Sequence, residues 1–126
     1  MPLRCLIVDD NAAFLEAASA LLERQGLTVV GVASNGADAL ERARELCPDV
    51  VVLDIALGTE SGFDVARNLA EAEANGAKVI LTSTHAQEDF ADLIDATPAV
   101  GFVAKPELSA SAIARLVGLS DAPRES

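Results

Sequence analysis

Asp49-Val50-Val51-Val52-Leu53-Asp54 is the stretch that most restricts what this chain can fold into. Four apolar residues, three of them β-branched, run into a carboxylate and then into a Gly-containing loop, Ile55 to Gly62. A short unbroken apolar run suits a strand buried on both faces, as in the middle of a parallel sheet. Asp54 then stands at the carboxyl end of a central strand. Open α/β sheets place their ligand sites in the crevice outside that end, so Asp54 is the first candidate for chemistry.

The rest of the chain alternates around that strand. Leu3–Val8 reads as a first buried strand that feeds the polar turn Asp9-Asp10-Asn11. Phe14, Ala17, Ala18, Leu21 and Leu22 recur at helical spacing over Ala13–Arg24, with Gly26 as the stop. Leu27–Ala33 is a second strand, and Ala37–Leu46 a second helix closed by Pro48. Phe63–Glu73 follows as a third helix, Lys78–Ser83 as strand four and Glu88–Ala96 as a shorter helix. Val100–Ala104 is strand five, and Ser109 is the expected N-cap of a last helix to about Val117. Five strands alternating with five helices imply βαβ units, a parallel sheet and right-handed crossovers. One domain is expected over 1–119, followed by a polar tail over 120–126.

Composition narrows the function. At 126 residues the chain can bury roughly two-thirds of its unfolded surface in one core. With no Trp or Tyr and four Phe, that core is built from Val, Leu, Ile and Ala. Nine basic residues against twenty acidic ones give a formal charge of −11, which argues against direct binding of nucleic acid or an anionic membrane. Cys5 and Cys47 are isolated and form no metal or redox motif, so both read as structural. No secretory leader and no long apolar run is visible, so a soluble cytoplasmic protein is expected.

In a parallel α/β sheet every strand ends on the same edge. That edge collects Asp9 and Asp10 after strand one, Asp54 after strand three, Thr82 after strand four and Lys105 after strand five. Each has a plainer reading alone, as a turn, cap or solvated loop residue. Together they make a small phosphoryl-transfer site. The carboxylates suit a hard cation such as Mg²⁺, Lys105 adds a positive point, and a carboxylate can be the nucleophile. His85, the one histidine, reads as a solvated loop residue, with a place at the site's border as the other reading.

These residues resemble a response-regulator receiver domain of two-component signalling, in order and spacing, over essentially the whole chain. The family's acidic pair corresponds to Asp9 and Asp10, its phospho-accepting aspartate to Asp54, its switch Ser/Thr to Thr82 and its Lys-Pro to Lys105-Pro106. Gly62 lies eight residues past the acceptor, and Phe102 holds the aromatic switch position three before the lysine. The resemblance implies a doubly wound, flavodoxin-like sheet in the order 2-1-3-4-5 with five helices on its two faces. It implies Mg²⁺-dependent transfer, with Mn²⁺ able to substitute, from a histidine kinase or phosphotransfer protein to Asp54. Asp10, Asp54 and the Ala56 carbonyl would bind the metal, with Asp9 acting through water, and the Lys105–Pro106 peptide would be cis. Thr82 and Phe102 would relay the change to the face of the fourth helix, fifth strand and last helix, for a downstream target, an output domain or a second copy. The family usually has Pro four residues past the acceptor, where this chain has Gly58, so a more mobile loop is expected there. Ala56, two residues past the acceptor, offers no polar group to position a hydrolytic water.

Three other readings share parts of this pattern. A receiver-like interaction module would bind partners without phosphorylation. A haloacid-dehalogenase-type phosphatase would use an aspartyl nucleophile, but its family resembles DxDxT after the first strand, where this chain has Asp9-Asp10-Asn11. A flavodoxin-like flavin binder would want a Ser/Thr-rich phosphate loop there, and two carboxylates would repel that phosphate.

Overall fold

In the computed structural model, which describes residues 3–71, 77–84, 92 and 96–120, the stretch Val50–Asp54 is a strand buried at every position. The described strands are β1 (Arg4–Val8), β2 (Thr28–Ala33), β3 (Val50–Asp54), β4 (Ala56–Leu57), β5 (Glu60–Ser61), β6 (Lys78–Ser83) and β7 (Gly101–Ala104). The described helices are α1 (Ala12–Arg24), α2 (Gly36–Leu46), α3 (Gly62–Glu71) and α4 (Ala110–Ser120). Five strands form one parallel sheet in the order β2-β1-β3-β6-β7, and β4 and β5 form a separate two-stranded ladder. With that hairpin set aside, the order is the expected 2-1-3-4-5.

Side chains alternate across the sheet with a period of two, and two apolar layers result. Leu6, Val8, Val51, Leu53, Val79 and Leu81 face one side, where Ala39 and Ala43 of α2 and Val65, Ala66 and Leu69 of α3 cover them. Cys5, Ile7, Val50, Val52, Ile80 and Val103 face the other, under Ala18 and Leu22 of α1 and Ile113 and Val117 of α4. Burial of Cys5 pushes its thiol up to about 12, which leaves it an inert core residue.

The helices begin where short polar side chains can take their unpaired N–H groups. Asn11 caps α1 by accepting from the Phe14 N–H at 3.1 Å, and Asn35 caps α2 by accepting from the Asp38 N–H at 2.8 Å. The expected Ser109 cap is present, with Oγ accepting from the Ala112 N–H at 3.0 Å. Four helices are described rather than the expected five. The expected helix Glu88–Ala96 lies outside the described residues except for Asp92 and Ala96, whose N–H donates to the Asp92 carbonyl at 3.2 Å. His85 and residues 121–126 also lie outside them, and α4 reaches Ser120 rather than ending near Val117.

The loop after Asp54 takes a regular turn. It closes as a two-residue hairpin, with Leu57 opposite Glu60 and Gly58 at φ +61 at the first central position. Glycine at that place is what such a tight turn needs, so Gly58 shapes the loop as a hairpin. The hairpin is tied down at a distance: Glu60 Oε1 accepts from the Gly36 N–H at 2.8 Å, so its carboxylate sits at the N-terminus of α2.

Candidate functional site

The period-two alternation that builds the two layers also aims the polar strand ends. Asp9 follows Ile7, Asp54 follows Val52, Thr82 follows Ile80 and Lys105 follows Val103, each two residues on from a side chain in the α1–α4 layer. All four therefore point to one face of the sheet's carboxyl edge. Asp54 and Thr82 are direct partners across the β3–β6 ladder.

Lys105 joins the carboxylates. Its ammonium lies 2.6 Å from Asp9 Oδ2 and 3.2 Å from Asp54 Oδ2. The contact to Asp54 is an aligned hydrogen bond. The shorter one, to Asp9, is an ion pair. Asp9 is wholly buried, and its other oxygen accepts from the Asn11 N–H at 2.8 Å. The Asp54 carboxylate has its Oδ1 on the Ala56 N–H at 3.2 Å. One oxygen each from Asp9, Asp10 and Asp54 lie within 4.8 Å of one another, with Asp10 exposed to solvent. The Thr82 hydroxyl is buried without a hydrogen-bond partner.

Comparison with known proteins decides the family. Residues 5–117 match the response regulator receiver domain family. The chain belongs to that family. Among its relatives is a protein-glutamate methylesterase/protein-glutamine glutaminase of Symbiobacterium thermophilum, 40% identical over 113 residues that cover 87% of this chain and 31% of the relative. Another is the chemotaxis protein CheY of Thermotoga maritima, 33% identical over 103 residues that cover 82% of this chain and 85% of the relative. The signal receiver domain of NarL from Mycobacterium tuberculosis superposes with a TM-score of 0.81 at 28% identity, covering 92% of this chain and 96% of that one. The chain spans 50%, 30% and 31% of the length of three curated relatives that it matches.

The receiver's acidic edge fits a hard divalent cation. Three convergent carboxylates offer oxygen only, the donor type that Mg²⁺ takes. The hairpin closes beside these carboxylates: Ile55 accepts from the Gly62 N–H at 2.6 Å, and the Ala56 N–H donates to Asp54 Oδ1.

Two expectations fare differently in this receiver. The described residues contain no cis peptide bond, so Lys105–Pro106 is trans. Pro106 sits in the first turn of the 3-10 segment Lys105–Glu107, where its fixed φ suits a trans entry and its missing N–H is no loss. Phe102 is half-buried, as a switch residue would be, but it pairs with Leu81 and packs on the α2–α3 layer. It lies across the sheet from the Thr82 side chain. Asn11, marked by the sequence only as part of a polar turn, and Phe14, marked only as part of an apolar helix face, both border the site.

The electrostatics carry a measurable consequence. Burial pushes the Asp54 carboxyl above its ordinary 3.8 and nearby Asp9 adds to this, while the Ala56 N–H and the Lys105 ammonium oppose it. Desolvation, and not the crowding of like charges, is thus the leading cause. A carboxyl raised on folding contributes stability below its ordinary value and loses it as pH rises through the higher folded value. Asp54→Asn should therefore stabilise the metal-free protein at pH 7, by about 1 kcal/mol. Urea unfolding in EDTA should show that advantage disappearing below about pH 3.8, where Asp54 is protonated in folded and unfolded chains alike. An Asn variant less stable at pH 7 would contradict it.

Proposed function

We propose that Asp54 is the phospho-acceptor of this receiver, and that a histidine kinase or phosphotransfer protein is the donor. The carrying observation is the placement of one carboxylate beside the Lys105 ammonium and in register with a buried hydroxyl that has no partner. An Asp54 oxygen forms a bond to phosphorus as the phosphorus–nitrogen bond of the donor phosphohistidine breaks. The electron pair stays with the imidazole, which takes up a proton. Lys105 is held by Asp9 within reach of the incoming negative charge. The Thr82 hydroxyl then finds in a phosphoryl oxygen the acceptor it lacks, which favours an inward Thr82 only after transfer.

Asp9, Asp10, Asp54 and the Ala56 carbonyl are the proposed holders of Mg²⁺, with Mn²⁺ able to replace it. When bound, the ion supplies neutralisation of phosphoryl charge. The proposed relay runs from Thr82 through the ladder to Phe102 and the face of β7 and α4, where a downstream target, an output domain or a second copy docks. A cytoplasmic receiver unit over 1–119 with a polar tail over 120–126 completes the reading. No described helix is long and apolar enough to cross a membrane.

Incubation with acetyl phosphate should add one phosphoryl group to the intact protein, seen by mass, in the presence of Mg²⁺ or Mn²⁺. EDTA and Asp54→Asn should each abolish it. Undiminished uptake in either case overturns the assignment.

A further inference from the structure

We propose that Phe14 is a positioning residue for phosphoryl transfer, its ring face holding the Lys105 ammonium between Asp9 and Asp54. The Lys105 Nζ lies 4.4 Å from the centroid of the Phe14 ring, inside the range in which a cation is drawn to the ring's negative face. Two other sides of the ammonium meet Asp9 at 2.6 Å and Asp54 at 3.2 Å. The ring closes a further approach with a surface that attracts charge but offers water no hydrogen bond.

The placement of the ring depends on the same turn that places Asp9. The Asn11 N–H donates to Asp9 Oδ1 at 2.8 Å, and the Asn11 side chain accepts from the Phe14 N–H at 3.1 Å. Asp9, Asn11, Phe14 and Lys105 therefore form a closed circuit, Asp9 to turn, turn to helix, ring to ammonium and ammonium back to Asp9. Lysine is otherwise a flexible four-carbon stem with many rotamers. Two carboxylates alone let it pivot toward either oxygen or toward solvent. The ring restricts that freedom from α1, an element that contributes no charged group to the reaction. Half-burial of Phe14 at the edge of the α1–α4 layer, rather than deep in it, is what brings its face to the ammonium.

This rests on Asp54 being the acceptor, and the experiment separates the two claims. Phe14→Leu keeps an apolar side chain and removes the ring face; Phe14→Tyr keeps the face. With acetyl phosphate and saturating Mg²⁺, the Leu variant should load Asp54 about fivefold more slowly at saturating donor. The donor concentration at half-maximal rate should barely change, because Phe14 does not touch the donor. Phe14→Tyr should restore the wild-type rate. In a Lys105→Met background, Phe14→Leu should slow loading no further, since the ring would have nothing left to position. In the metal-free protein, the side-chain methylene protons next to the Lys105 nitrogen should be shifted upfield by the ring in wild type and Phe14→Tyr, and not in Phe14→Leu. Assignment is direct because Lys78 is the only other lysine. Equal loading by wild type and Phe14→Leu, or equal slowing with and without Lys105, overturns the positioning role while leaving Asp54 as acceptor. No loading by the wild type overturns the acceptor assignment, and the positioning role with it.

Discussion

Gly62→Ala should cost about 3 kcal/mol of folding stability, the upper end for overpacking a tight site. A Cβ at position 62 would fall on the Asp54 carbonyl oxygen, and would lie 2.7 Å from Ile55 Cα and 2.9 Å from the Ile55 oxygen. These are backbone atoms in the segment that carries Asp54, the proposed acceptor, so no flexible side chain can swing aside. That segment is also anchored from both directions: the Ile55 N–H donates to the Thr82 carbonyl at 2.9 Å and the Gly62 N–H to the Ile55 carbonyl at 2.6 Å. Relief of the clash has to open the hairpin closure or displace Asp54. Urea unfolding should show the lost midpoint, and loading of Asp54 should fall in whatever fraction stays folded. A change under about 0.5 kcal/mol, the size of a neutral surface substitution, would show that the close approach does not constrain the site.

Lys105→Met should destabilise the metal-free protein by about 3 kcal/mol at pH 7. Removing one partner from a buried ion pair leaves the other charge uncompensated, and Asp9 is wholly buried. Burial alone lowers the affinity of Lys105 for its proton, but the contacts with Asp9 and Asp54 outweigh it and leave the group above 10.5. An ammonium raised on folding contributes its full stability below 10.5 and loses it as pH rises through the folded value. The wild-type advantage should thus hold through neutral pH and fade only in strong alkali. It should also shrink toward acid, because carboxyls left without Lys105 can be protonated instead. Held by these carboxylates as proposed, Mg²⁺ would stand in for the Lys105 charge, so the Met variant should bind it more tightly. At about 100 times its dissociation constant the ion stabilises a folded protein by roughly 2.7 kcal/mol. Unfolding midpoints of both forms in EDTA and in Mg²⁺, at pH 5 and 7, test every part of this. An unchanged midpoint for the Met variant at pH 7 would mean that the ammonium offsets no buried charge.

The chain's local patterns already determine the layered sheet, its strand order by family resemblance, and the identity of the residues at its carboxyl edge. The reason is that burial on two faces writes continuous apolar runs such as Val50–Leu53, and burial on one face writes helical spacing such as Val65, Ala66 and Leu69. Because strand side chains alternate strictly, the runs also determine that Asp9, Asp54, Thr82 and Lys105 share a face. Contacts between distant segments are another matter. That Lys105 sits closer to Asp9 than to Asp54, that Phe14 roofs it, and that Glu60 reaches Gly36 all depend on distances between elements dozens of residues apart. Local periodicity sets which way a side chain points but not what stands in front of it. The Gly58 hairpin lay between these cases: a Gly-X pair between two short segments is a local signal, yet two-residue strands are too short to show alternation. The trans Lys105–Pro106 bond was decided by the tertiary structure alone, through the 3-10 turn, whereas the odd spacing of Phe102 from Lys105 already puts it on the opposite face by alternation.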